Sequence, residues 1–167
     1  DGPIPKIIFS SLDLKHNDSA TLAFKKLFDQ NIIGGCHVAE VNGIHIGFFS
    51  LLGKDAASVA PAARPLHFKD QIKTARQYVK YLREVQKADL VICLSHSGVK
   101  LMPDGTWGGE DVELARKVPG IDLIISGHTH TYLDKPIVIN NVPIVQTECF
   151  GMYLGRLELT LRNRKLV

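Results

Sequence analysis

Two short stretches carry the residues best suited to chemistry. Asp122-Leu-Ile-Ile-Ser-Gly-His-Thr-His130 runs from an apolar, β-branched segment into a glycine break and then two histidines. Asp122 to Ile125 reads as a short buried strand. Ser126-Gly127 interrupts it, because glycine permits backbone angles that other residues avoid. His128 and His130 then stand at i and i+2, a spacing that on extended chain sends both imidazoles to one side. Imidazoles so placed can meet one divalent ion or two adjacent ones. The competing reading is a pair of surface histidines in a polar loop.

The second stretch weighs against that competing reading. Asp89-Leu-Val-Ile-Cys-Leu-Ser-His-Ser-Gly98 repeats the plan of an aspartate, an apolar run, a serine and a histidine. A helical pattern from Gly109 to Val118 separates the copies. Two buried strands joined through a helix form a right-handed parallel crossover, so both end on the same edge of the sheet. Ligands of open α/β sheets sit outside that edge. His96, His128 and His130 are therefore expected to converge as metal ligands.

The elements that must position them are legible in outline. Lys6 to Ser11 reads as a strand. Ser19 to Gln30 reads as a helix with Ser19 as its cap. His37 to Val41, Asn42-Gly43 and Ile44 to Leu51 form a hairpin, since Asn-Gly suits a turn with two positive φ angles. His37 and His45 beside it read as strand surface residues. Gly53 to Pro65 is expected to be irregular. Phe68 to Lys87 reads as the longest helix, with Phe68, Ile72, Ala75, Val79, Leu82 and Val85 on one apolar face. Its basic residues read as a solvated face.

Lys100 to Gly108 is a loop beside the site, where Trp107 either covers a substrate or pins the loop. The helix after it has Glu110-Asp111 in its first turn and Arg116-Lys117 in its last, both complementing the dipole. Pro136 to Ile139 and Pro143 to Thr147 suggest a second hairpin, and Leu154 to Leu161 alternates like a half-exposed strand. The fold class is layered α/β with a mixed sheet.

Composition narrows the function classes. At 167 residues the chain suits one domain. Its 20 basic and 17 acidic residues are scattered, which argues against a nucleic-acid polymer as partner. The longest clean apolar run, Leu90 to Leu94, is far short of the roughly 18 residues of a membrane span. Cys36, Cys93 and Cys149 cannot all pair, and none lies in a C-x-x-C spacing. The chain opens at Asp1 without an initiator methionine, and a segment before it is expected to have been removed.

Ser95-His96-Ser97-Gly98 and Gly127-His128-Thr129-His130 resemble two motifs of the metallophosphoesterase (calcineurin-like) superfamily, most closely its 5'-nucleotidase branch. The hairpin Glu40 to Leu52, Glu110 to Ala115, Val142 to Gln146 and Gly151 to Leu157 agree with that resemblance, which covers nearly the whole chain. It implies part of a four-layer α/β/β/α sandwich with mixed sheets. It implies two divalent ions, zinc or manganese, with His96 and His128 on the second and His130 on the first. The implied activity is hydrolysis of a phosphate ester, in particular of nucleotides, by metal-bound water, and the implied location is exported or periplasmic.

The family's D-x-H, G-D-x-x-D and G-N-H motifs are absent from the sequence. Residues 1–167 are accordingly expected to be the second half of a catalytic domain, without the amino-terminal metal motifs or the carboxyl-terminal substrate domain. Without that half, Ile7, Phe9 and the Leu90 to Leu94 strand are expected to lack neighbours. No catalytic residue is assigned in this chain, and alone it is expected to be inactive and to self-associate through exposed sheet; whether it binds either ion without the other half stays open. Two other readings stay open: a self-contained three-histidine zinc hydrolase, and a non-catalytic domain that kept the fold.

Overall fold

A computed structural model of the protein describes residues 5–167, so the opening segment from Asp1 lies mostly outside the description. A short parallel pair, β1 (Ile7–Ile8) and β2 (Ile33–Gly34), flanks helix α1 (Ser19–Asp29). Strands β3 (Cys36–Val41) and β4 (Ile44–Leu52) form the expected hairpin, with Asn42 and Gly43 at φ 52° and 74°. Helices α2 (Lys54–Ser58) and α3 (Gln71–Lys80) follow, the second running into a π-helical turn at Tyr81–Val85. Then come β5 (Leu90–His96), β6 (Lys100–Leu101), β7 (Trp107–Gly108), α4 (Glu110–Lys117) and β8 (Leu123–Ile125). The chain ends with β9 (Ile137–Ile139), β10 (Val142–Val145), β11 (Leu161–Arg162) and β12 (Lys165–Leu166).

The main sheet has the order β3-β4-β5-β8-β10-β9. Its four inner strands are mutually parallel, and antiparallel hairpin partners form both edges, so the sheet is mixed as expected. Helices α3 and α4 cover one face. Phe49, Leu51, Val91, Cys93, Ile124 and Ile144 meet Ala75, Val79, Leu82, Val112, Ala115 and Val118 in one buried cluster. The β1 segment meets the sheet through Ser50, whose Oγ donates to the Ile8 carbonyl and whose N–H donates to Ser10 Oγ. This sheet with its helical layer supplies part of the layered architecture that the motifs imply.

Local chemistry accounts for the departures. Helix α1 is capped by Asp18, not Ser19, because the Asp18 carboxylate accepts from both Thr21 N–H and Thr21 Oγ1. Helix α3 starts at Gln71, since Asp70 caps it through Lys73 N–H, and Phe68 pairs with Leu12 in an isolated bridge instead. Gly53 to Pro65 contains helix α2 and a 3₁₀ turn at Pro61–Ala63. Lys6 to Ser11 pairs only at Ile7 and Ile8.

Leu154 to Leu161 does not form the expected strand. Leu154 is 97% exposed, and the ladder begins only at Leu161, where a tight hairpin turns at Asn163 and Arg164. Alternation describes a strand only where a sheet face receives it, and among the described residues none does here. The Leu90 to Leu94 strand does not lack neighbours: it lies between β4 and β8, with Leu90 to Cys93 buried.

Candidate metal centre

The parallel crossover is formed as read: β5 pairs with β8, and α4 lies between them in sequence. His96 is the last residue of β5, opposite Leu52 of β4, and His128 follows three residues after β8. Both histidines therefore leave the same sheet edge, and their ring centroids are 5.2 Å apart. The turn at Gly127 makes that approach feasible, because a Cβ there would come 3.2 Å from His96 Nδ1. Partial desolvation, followed by the charges of His128 and His130, holds His96 below the ordinary histidine value.

The route to His130 differs from the extended one expected. His128 and His130 have φ of 78° and 51°, so the chain coils through the left-handed region rather than alternating sides. A non-glycine residue there stores backbone strain, of order 1–3 kcal/mol, which must be offset by surrounding contacts. His130 is exposed, its ring set edgewise on Phe150 at 5.5 Å between centroids. His37 and His45 stay on the hairpin, His45 beside Glu40.

Three further acidic residues touch this edge. Asp55, on α2, lies 3.1 Å from His128 Nε2. Glu110 fixes α2 by accepting the backbone N–H groups of Lys54 and Asp55, each at 3.0 Å. Asp111 is completely buried, and it accepts from Ser95 Oγ at 2.6 Å, Ser126 Oγ at 2.6 Å and Gly98 N–H at 2.9 Å. Burial pushes its carboxyl above the ordinary value against the pull of those three donors.

Gln146 continues the network. Turned to satisfy both of its ends, its amide donates to Ser126 Oγ and accepts from the N–H groups of His130 (3.1 Å) and Thr131 (2.9 Å). In the sequence Glu110-Asp111 reads as a pair of helix-dipole acids, and nothing there distinguishes that role from these contacts. Trp107 packs against the core cluster, which is the loop-pinning role.

The donor chemistry suits a divalent ion of the zinc or manganese kind, with two converging imidazoles and a carboxylate beside one of them. The set is not closed: among the described residues no three His, Cys, Asp or Glu side chains are grouped to hold an ion. A cavity of about 730 Å³ lies elsewhere, around Pro119 to Asp122 and the Asn140-Asn141 turn.

The model of the calcineurin-like phosphoesterase family matches residues 6–132, and the chain belongs to that family. It is 35% identical over 131 residues to the trifunctional nucleotide phosphoesterase protein YfkN of Bacillus subtilis, a match covering 77% of this chain and 8% of that protein. It is 29% identical over 148 residues to a 5'-nucleotidase of Diplobatis ommata, covering 78% of this chain and 24% of the relative. The 5'-nucleotidase precursor of Thermus thermophilus shares the fold, with a TM-score of 0.65 at 22% identity over 84% of this chain and 27% of that one. The chain thus spans at most about a quarter of the length of these relatives. Among the described residues no helix is long and apolar enough to cross a membrane.

Proposed function

We propose that this chain contributes the histidine half of a two-metal centre in a phosphoester hydrolase that acts on nucleotides. The observation that carries the reading is the approach of His96 and His128 at the carboxyl edge of neighbouring parallel strands. Family membership and the nucleotide-directed descriptions of the relatives support the substrate class. His96 and His128 would hold one ion and His130 the other. Divalent ions at such a site polarise phosphoryl oxygens and acidify water.

The residues of this chain supply the binding geometry. His96, held below the ordinary histidine value, offers a neutral imidazole near neutral pH. Asp55 engages Nε2 of His128 and leaves Nδ1 as the free donor atom. By the family resemblance, the D-x-H, G-D-x-x-D and G-N-H motifs, which these 167 residues lack, would supply the remaining ligands. Export from the cytoplasm belongs to the same proposal and rests on the family resemblance.

A chimera tests the reading. Joined to a family member's segment that carries the absent motifs, the chain should hydrolyse AMP with zinc or manganese, and His128→Ala should abolish the activity. Equal hydrolysis by the substituted chimera overturns the assignment. The 167-residue chain alone should show negligible hydrolysis of p-nitrophenyl phosphate. Turnover above about 1 per second, an ordinary enzyme rate, would instead establish a self-contained site.

A further inference from the structure

Among the described residues the buried carboxylate of Asp111 has no cationic partner, and a charge taken out of water without one is costly unless hydrogen bonds compensate it. Its three donors are not scattered through the core. Ser95 immediately precedes His96, Gly98 follows two residues after it, and Ser126 lies two residues before His128. One oxygen takes Ser95, while the other takes both Gly98 N–H and Ser126, so a single planar group spans the two histidine turns.

The helix that carries Asp111 is also held to the first turn. Asp111 N–H donates to the Gly98 carbonyl at 3.2 Å, reciprocating the bond from Gly98 N–H to its side chain. Gly109 has φ 106°, and a Cβ on it would come 2.8 Å from that same carbonyl oxygen. Helix α4 therefore sits in van der Waals contact with the turn after His96.

The polar chain extends outward on both sides. The Ser95 and Ser97 hydroxyls lie 2.8 Å apart, and Ser97 Oγ accepts from Gln71 Nε2 at 2.8 Å. On the other side Ser126 meets Gln146, which reaches His130 N–H. Gln71, Ser95, Ser97, Asp111 and Gln146 are all buried. A satisfied buried network of this kind specifies one arrangement of the elements it joins.

We propose that Asp111 is the positioning residue of the histidine site, setting the separation of His96 and His128 by bridging the turns that present them. It touches neither imidazole and acts through Ser95, Gly98 and Ser126. Its metal-dependent consequence rests on the proposed metal centre, whereas its geometric consequence does not. An alanine at 111 would remove the acceptor that Ser95 Oγ, Ser126 Oγ and Gly98 N–H share. An asparagine would keep the volume but turn an amide N–H₂ toward donors.

The test compares the chain with Asp111→Asn and Ser126→Ala by two readouts. In the metal-free proteins, NMR reports the contact between the His96 and His128 ring protons. Separately, the absorption of added Co²⁺ gives its affinity. Asp111→Asn should remain folded, lose the inter-ring contact and bind Co²⁺ at least roughly tenfold more weakly, the usual effect of disturbing a ligand's supports. Ser126→Ala, which removes the bonds of Ser126 Oγ to Asp111 and to Gln146, should shift both readouts in the same direction. If Asp111→Asn does not fold, Ser126→Ala decides by the same two measurements.

An intact ring contact together with unchanged Co²⁺ affinity in the folded variants overturns the proposal, as does the absence of the contact in the unsubstituted chain. Loss of the contact in Asp111→Asn when the unsubstituted chain fails to bind Co²⁺ supports positioning by Asp111 and overturns the metal reading instead.

Discussion

Asp55 and His128 meet across the carboxyl edge of the sheet, with Asp55 Oδ2 3.1 Å from His128 Nε2. Glu110 holds the backbone of the short helix that presents Asp55, so the pairing depends on a third element. A neutral imidazole facing a carboxylate through Nε2 carries its proton there. The expected outcome is that ¹⁵N-edited NMR finds the neutral imidazole of His128 as the Nε2–H tautomer. Asp55→Ala should admit the other tautomer. A dominant Nδ1–H form in the unsubstituted chain would contradict the pairing.

His96 should titrate below the ordinary histidine value of 6.5. A histidine whose folded value is lowered contributes stability that is fully present above its unfolded value and is lost as pH falls through the folded one. His96 thus contributes to acid destabilisation below about pH 6.5. Desolvation is the largest cause, so His128→Ala should raise the value only partway toward normal, as followed by ring-proton shifts. A value at or above 6.5 in the unsubstituted chain would be inconsistent with the site geometry.

Gly98 should tolerate no side chain. Its φ is 91°, and an added Cβ would lie 2.3 Å from Thr129 Cγ2, the residue between the two carboxyl-terminal histidines. Gly98→Ala should cost about 2–4 kcal/mol from backbone strain and overlap together. Gly105 has a similar φ of 80° but open space around it, so Gly105→Ala should cost only about 1 kcal/mol. Urea midpoints compare the two, and equal losses would show that the Thr129 contact is unimportant.

The segment after Glu148 leaves apolar side chains in water. Phe150 is 88% exposed, Leu154 97% and Met152 63%. Large apolar side chains exposed close together in sequence favour association. We expect the chain to self-associate with rising concentration by light scattering, and Phe150→Ser with Leu154→Ser to reduce it. A monomer at high concentration that binds no apolar dye would contradict the expectation.

The residues differ in how much of their role their sequence context reveals. His96 and His128 are readable because a strand ending in Ser-His or Ser-Gly-His combines a periodic apolar run with a break, and parallel connection rules bring the ends together. The hairpin at Asn42-Gly43 is readable from turn chemistry alone. Asp55 is not, because it comes from a short helix inside an Ala- and Pro-rich stretch that has no periodicity. Asp111 is visible as an acid but reads as a dipole partner, since burial by distant chain cannot be seen in a helix's first turn. Leu154 to Leu161 fails for a related reason: alternation does not say whether a partner strand exists. The left-handed turns at His128 and His130 are equally hidden, since Thr129 between them gives no hint of positive φ.

The most direct measurement on the central claim is paramagnetic broadening of the seven histidine ring signals by Mn²⁺. If His96, His128 and His130 share a metal centre, substoichiometric Mn²⁺ broadens their signals first and together, and His128→Ala removes the effect from His96, its partner on the same ion. Broadening that begins at His37 or His45, or that spreads evenly over every histidine, would contradict the site.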